Sequence, residues 1–278
     1  MKKYRSRLSK IFFVGIGGSG MSGIAEVLIN LNYEVSGSDI SDSEIIDRLR
    51  SMGAEIHIGH KATNIDKADM IVISSAIDDG NPELIEAKLR GIPVLARAEM
   101  LSSLMNMKRG IAIAGTHGKT TTTSLVASIF TEASLDPTFI NGGIINSFAS
   151  NAKLGKGDYL VAEADESDGS FMRLSPSMVV VTTLDEEHMD FYKTLENMKN
   201  TFLKFINKIP FYGSAILCLD DVNIQSLIPR VEKRYITYGL SAQADYTAGN
   251  ISIEGLSTYF NVHHCGKNLG RIRSGALG

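Results

Sequence analysis

Ile11-Phe12-Phe13-Val14-Gly15-Ile16-Gly17-Gly18-Ser19-Gly20-Met21 is the stretch from which the fold is read. Four apolar residues without alternation read as a strand buried on both faces. Gly15, Gly17 and Gly20 then spell G-x-G-x-x-G, and Ile24, Val27, Leu28 and Leu31 recur at i, i+3, i+4 and i+7, the period of a helix over 21–31. A strand, a glycine turn and a helix in this order open a parallel α/β unit. Glycine allows the tight turn, and the free N–H groups and positive dipole at the helix start favour a diphosphate. Asp39 stands about 20 residues further on, where such a unit places an acid against a ribose. Gly15, Gly17, Gly18, Ser19, Gly20 and Asp39 are therefore candidate nucleotide-binding residues. An empty structural turn remains the alternative. The motif does not distinguish NAD, FAD or a UDP-sugar.

Outward from this unit, short apolar runs alternate with amphipathic ones. Strands are expected over 33–37, 54–58, 70–74 and 93–96. Helices are expected over 43–52, 83–90 (with Pro82 in its first turn and Gly91 closing it) and 98–107. The alternation implies a parallel, doubly wound sheet. A second series begins at Arg109, so the boundary falls at 107–109 and gives domains 1–108 and 109–278. In this series 111–114, 158–163, 178–183 and 215–219 read as buried strands. Residues 120–132, 194–207 and 222–227 read as helices. A hairpin is expected around Glu254-Gly255, with strands at 251–253 and 258–262, and no element is legible in 274–278.

Gly115-Thr116-His117-Gly118-Lys119-Thr120-Thr121 lies between the strand 111–114 and the helix 120–132. Its end matches a phosphate loop: amides cradle phosphates, Lys119 neutralises β/γ charge, and the Thr120 hydroxyl can ligate Mg²⁺. Position 113 is Ile rather than Gly, so the loop is shorter than the common pattern. Glu163, Asp165, Glu166 and Asp168 follow one apolar strand. Asp185, Glu186, Glu187, His188 and Asp190 follow another. Carboxylates at strand C-termini mark where open α/β sheets bind ligands, and hard cations take carboxylates alongside phosphates. A solvated acidic loop is the alternative for the first cluster and a structural histidine for the second. His57 and His60 read as a polar loop, and His263-His264-Cys265 as part of a strand rather than a metal cluster.

Composition bounds the rest. The chain has 278 residues, 28 Lys+Arg against 31 Asp+Glu, and a net charge of -3, which argues against a broad electrostatic claim on nucleic acid or anionic membrane. With 44% hydrophobic and 21% charged residues it is an ordinary globular chain. Two cysteines, Cys218 and Cys265, are read as reduced thiols. Lys2, Lys3, Arg5, Arg7 and Lys10 before the apolar run 11–14 mimic a secretion signal, but that run is too short for one. No stretch reaches the ~20 apolar residues of a membrane span. A cytoplasmic protein is the expectation.

Together these motifs resemble the Mur ligases. The resembling residues are Phe13–Gly23, Ser74–Ile77 with Asn81-Pro82-Glu83, Arg97–Leu101, Gly115–Thr123, Asp136–Thr138, Gly142-Gly143, Glu163–Asp168 with Phe171, and Glu187–Asp190 with Tyr192. The likeness is strongest to the members that add L-alanine to UDP-N-acetylmuramate. Members that add a murein tripeptide usually carry Tyr where Ser167 stands. The resemblance implies a Rossmann-like parallel-sheet domain that holds the UDP-sugar, followed by a P-loop ATP-binding α/β domain. It also implies a peptidoglycan-precursor ligase that forms an amide through an acyl phosphate.

Carried over by motif, Gly115 to Thr121 would bind ATP, with Lys119 on the β/γ-phosphates. Thr120 would ligate the Mg²⁺ of ATP, and Glu163 and His188 would hold a second Mg²⁺ near the acyl phosphate. Gly17, Gly18, Ser19 and Ser75 would line the UDP-sugar pyrophosphate, and His117 would shape the loop near that substrate. Two positions depart from the family pattern: Thr183 stands for an Asn and Glu187 for an Asp. The resemblance also implies a longer, three-domain enzyme. The expectation is thus a chain cut inside the central domain, as a fragment or a truncated reading frame, with no amide synthesis by residues 1–278 alone. Two readings from other classes stay open: a non-catalytic UDP-sugar or nucleotide-binding remnant, and a nicotinamide oxidoreductase using Gly15–Gly20.

Overall fold

A computed structural model describes residues 9–145 and 150–275. Lys2, Lys3, Arg5 and Arg7 and residues 276–278, which the sequence reading touched on, lie outside the described residues. Contacts divide the chain into two units. The first comprises Met1–Gly110, Thr120–Glu163 and Arg173–Ser175, and the second Ile111–Lys119, Ala164–Met172 and Pro176–Gly278.

The first unit opens with β1 (Lys10–Val14), α1 (Ser19–Asn30), β2 (Glu34–Asp39), α2 (Glu44–Ser51), β3 (Glu55–Ile58), β4 (Met70–Ile73), α3 (Pro82–Arg90), β5 (Val94–Ala96) and α4 (Arg97–Met105). The five strands form a parallel sheet in the order β3-β2-β1-β4-β5, as the alternation implies. The unalternating run Ile11–Val14 is buried throughout. Its phenylalanines, Phe12 and Phe13, are each worth about 2–3 kcal/mol against exposure. The helix signals act where they stand. The Ser43 hydroxyl accepts Ile46 N–H at α2, and Asn81 accepts Glu83 and Leu84 N–H at α3. Gly91 closes α3 at φ +67°.

The chain continues through β6 (Arg109–Ala114), α5 (Lys119–Glu132), β7 (Thr138–Ile145), β8 (Ser150–Lys153), β9 (Tyr159–Glu163) and β10 (Met178–Val181). Then come α6 (Met189–Tyr192), α7 (Leu195–Asn207), β11 (Ser214–Cys218), α8 (Val222–Leu227), β12 (Tyr235–Gly239), β13 (Tyr246–Glu254), β14 (Ser257–His264) and β15 (Lys267–Ser274). In the first unit β7 pairs in parallel with β9 and antiparallel with β8. This pair of strands packs on α1. A Cβ on Gly23 would lie 3.2 Å from Ile140 and 3.3 Å from Ala152, so a larger residue there would push these neighbours back by a few tenths of an ångström. Asn151 Nδ2 donates to Ser19 O and Ser22 Oγ, and Arg48 reaches Glu26, Ser150 and Asn151.

In the second unit the strands run β15-β14-β13-β12-β11-β10-β6. They are parallel from β6 to β13 and antiparallel from β13 to β15. Phe171 packs its ring against those of Phe202 and Phe205, with centroids 5.2 and 4.7 Å away.

Four strands escaped the sequence reading: β7, β8, β12 and β15. β7 carries Gly142-Gly143, which reads as a turn. β12 is five residues long behind a charged run. β15 is exposed along almost all its length, so it has no apolar alternation to detect. His263 and His264 lie in β14, as expected, with the His264 ring stacked 4.4 Å from that of Tyr246. Cys218 and Cys265 are both free thiols.

Candidate active site

The first glycine loop is held by the end of β2. Ser38 O accepts the N–H of Gly15 (2.8 Å) and Ile16 (3.0 Å), and Asp39 Oδ2 accepts that of Gly17 (2.8 Å). Asp39 Oδ1 takes its own neighbour's N–H, that of Ile40. The acid singled out for a ribose thus holds the loop itself. Gly15 sits at φ +77°, which favours glycine, and a Cβ on Gly17 would fall 2.9 Å from the Asp39 carboxylate. Gly18 caps α1 without a side-chain bond, and Gly18 and Ser19 are exposed at the helix start. A Cβ on Gly20 would meet the Arg97 guanidinium at 2.6 Å, so that cation lies against the loop. Ser75 lies exposed in the turn after β4.

The second loop is held mostly by side chains, with one main-chain bond from Thr116 N–H to Thr183 O (3.0 Å). Lys119 Nζ donates to Gly115 O (2.7 Å) and Thr116 O (3.2 Å), and pairs with Glu166 Oε1 at 2.9 Å. Glu166 is 1% exposed, and its second oxygen, Oε2, is buried without a hydrogen-bond partner. Burial pushes the Glu166 carboxyl above its usual value, and the Lys119 ammonium pulls it back. His188 Nε2 lies 3.6 Å from the same Oε1. Tyr192 OH donates to Glu166 O at 2.6 Å.

The strand-end threonines complete the cradle. Thr182 Oγ1 donates to His117 O (2.5 Å), and Thr183 Oγ1 accepts His117 N–H (3.0 Å) and shares a proton with Thr116 Oγ1 (2.9 Å). Gly115 is at φ +134°, and a Cβ there would lie 2.1 Å from Thr182 Oγ1. Thr183, where the family pattern has Asn, therefore keeps a hydrogen bond, directed at the loop. His117 Nε2 faces Asp185 Oδ2 (3.6 Å) and Glu187 Oε1 (3.5 Å).

Glu163 and Thr120 belong to the first unit, and both lie against the glycine pair of β7. A Cβ on Gly142 would sit 2.5 Å from Glu163 Oε2, and one on Gly143 would sit 3.4 Å from Thr120 Cγ2. Glu163 Oε1 is also buried without a hydrogen-bond partner. Among the described residues no group of three or more His, Cys, Asp or Glu side chains gathers into a metal-binding cluster. A cation here would have to complete its shell with phosphate and water oxygens.

The Mur ligase family catalytic domain matches residues 10–109, and the Mur ligase middle domain matches residues 113–278. The chain belongs to the Mur ligase family. It is 60% identical over 266 residues to a UDP-N-acetylmuramate–L-alanine ligase of Geotalea daltonii, covering 96% of this chain and 58% of that protein. It is 54% identical over 278 residues to one of Anaeromyxobacter sp., covering 100% and 61%. The chain thus spans about three fifths of the length of these curated relatives.

Among solved structures, UDP-N-acetylmuramate-alanine ligase MurC from Thermotoga maritima matches with a TM-score of 0.84 at 29% identity, over 97% of this chain and 61% of that one. The UDP-N-acetylmuramate:L-alanyl-γ-D-glutamyl-meso-diaminopimelate ligase from Neisseria meningitidis matches with 0.87 at 27%, over 98% and 89%. This Mur ligase chain has a Rossmann-like parallel-sheet part and a P-loop part, as the motifs suggested. Thr182, Thr183 and Tyr192 had no sequence signal as loop holders, because each acts across 26 or more residues.

Proposed function

We propose that the protein serves the ATP-dependent joining of L-alanine to UDP-N-acetylmuramate, a step in making peptidoglycan precursor. In this reading 1–108 is the UDP-sugar domain and 109–278 the ATP domain. Gly15, Gly17, Gly18, Ser19, Gly20 and Ser75 face the UDP-sugar pyrophosphate, with Asp39 fixing the loop. Gly115, Thr116, His117, Gly118, Lys119, Thr120 and Thr121 hold ATP. The observation that carries the reading is Lys119, drawn onto its own loop carbonyls and a buried carboxylate, a cation stored where phosphate charge will arrive.

The orphaned carboxylate oxygen Glu163 Oε1 fits a hard dication. Thr120, Glu163 and His188 would hold Mg²⁺, which when bound offsets the repulsion between a carboxylate and phosphates. Lys119 moves from Glu166 to the β/γ-phosphates and stabilises the charge that develops there. The substrate carboxylate attacks the γ-phosphate, giving an acyl phosphate and ADP. The alanine amine then displaces phosphate. His188 stays near Glu166 as Lys119 leaves it, keeping a polar partner for that carboxyl. The reading places this chemistry in the cytoplasm; among the described residues no helix is long and apolar enough to cross a membrane.

Titration of the chain with UDP-N-acetylmuramate, ATP and NAD tests the reading. Binding of the first two supports it, and NAD binding without ATP binding overturns it in favour of an oxidoreductase. The structural likeness to a tripeptide-adding enzyme favours one second reading. In the native protein, phosphate release driven by L-alanine supports the first reading, and release driven only by the tripeptide supports the second.

A further inference from the structure

Glu83 has no part in the two loops as described, yet its carboxylate is fully buried. It stands in the first turn of α3, where the helix dipole favours negative charge. Both oxygens are used. Oε2 accepts from Ser38 Oγ (2.7 Å) and from His60 Nδ1 (2.8 Å), and Oε1 accepts from Asn64 Nδ2 (2.7 Å). His60 is therefore part of a buried network rather than the plain polar loop the sequence suggested. Serine, histidine and a carboxylate meet here, but not as a nucleophilic triad. The serine hydroxyl and the carboxylate address the same Nδ1 instead of opposite ring nitrogens, and Ser38 is fully buried.

The network ends at the tip of β2. Ser38 is the residue whose carbonyl holds the Gly15 and Ile16 amides. Asn64 Nδ2, besides binding Glu83, donates to Gly59 O, and Gly59 N–H donates to the carbonyl of Asp39, whose carboxylate holds Gly17. One carboxylate thus fixes, from two sides, the dipeptide that binds three consecutive loop amides.

We propose that Glu83 is a positioning residue of the nucleotide loop, setting Gly15–Gly17 through Ser38 and Asp39. The proposal rests on the reading of this loop as the UDP-sugar site for its consequence, though not for its geometry. A buried carboxylate is costly unless fully hydrogen-bonded. Replacing it by an amide of the same shape puts an N–H₂ group where an acceptor is needed, leaving Ser38 or His60 without its partner.

The test is residue-resolved amide hydrogen exchange on the free chain, with wild type, Glu83→Gln and Ser38→Ala. Glu83→Gln is expected to speed exchange at Gly15 and Ile16 about tenfold, and Ser38→Ala about threefold, with Val27 and Leu28 in α1 unchanged. The same variants should bind UDP-N-acetylmuramate more weakly by similar factors and ATP as the wild type does. Unchanged exchange at Gly15 and Ile16 overturns the proposal, and so does a uniform rise across β1, β2 and α1, which marks general destabilisation. If Glu83→Gln does not fold, Ser38→Ala decides by the same criteria. Faster local exchange in a chain whose wild type does not bind UDP-N-acetylmuramate would uphold the positioning role while sinking the UDP-sugar reading.

Discussion

The molecule has two glycine loops at strand-helix junctions, and they are held in opposite ways. Gly15–Gly20 is fastened by the main chain of β2 and by Asp39, with a cation, Arg97, supplied by another helix. Gly115–Thr120 is fastened mostly by side chains, Lys119 from within and Thr182 and Thr183 from the end of β10, with one main-chain bond from Thr116 N–H to Thr183 O. A loop held by backbone carbonyls can receive a diphosphate with little rearrangement. A loop whose lysine caps its own carbonyls and a buried glutamate must exchange those partners for phosphate. The first suits a substrate that is bound and kept, the second a nucleotide whose terminal phosphate moves.

The comparison breaks most visibly at Lys119. Lys119→Ala should lower ATP affinity about 100-fold or more while leaving UDP-N-acetylmuramate affinity unchanged, read by calorimetry with each ligand. Next come the glycines. Gly115→Ala forces a Cβ into Thr182 Oγ1 at positive φ and should cost about 3 kcal/mol of stability. Gly17→Ala meets the Asp39 carboxylate at 2.9 Å and the Ile46 side chain at 3.2 Å and should cost about 1 kcal/mol, both measured by denaturant unfolding. Thr183→Val removes the hydroxyl that binds the His117 amide and Thr116. ATP affinity should fall about tenfold, and the UDP-sugar site should not respond.

The smallest effect concerns acid. The backbone N–H of Thr237, then its hydroxyl, holds the Asp245 carboxyl below its usual range, and the N–H groups of Lys10 and Ser9 do the same for Asp69. Each folded value lies below the unfolded one. The stabilisation is therefore present above about pH 4 and lost as pH falls through the folded value. Asp245→Asn and Asp69→Asn should each lower Tm in the neutral range and flatten its fall below about pH 4, so that variant and wild type converge in acid.

These contrasts also show what a sequence can carry. Ile11–Val14, the α1 period and both glycine loops are local signals, and each element stands where its residues put it. The acid at 39 was legible as a member of the first loop, but its role as the loop's own fastener was not. That depends on which way a carboxylate turns at a strand end. Glu83, His60 and Ser38 come together only because β2, the turn after β3 and the start of α3 meet in the folded sheet. β7 was hidden by Gly142-Gly143, glycines that lie within the strand, where a Cβ on Gly142 would meet Glu163 Oε2 at 2.5 Å. β15 was hidden by its exposure on almost every residue.

The central claim is that one chain carries two independent ligand loops, of which only the second depends on a stored cation. The most direct measurement is paired calorimetric titration of wild type and Lys119→Ala with UDP-N-acetylmuramate and with ATP and Mg²⁺. Wild type is expected to bind both and the variant only the UDP-sugar. A variant that still binds ATP like the wild type, or that loses both ligands while remaining folded, would contradict the claim.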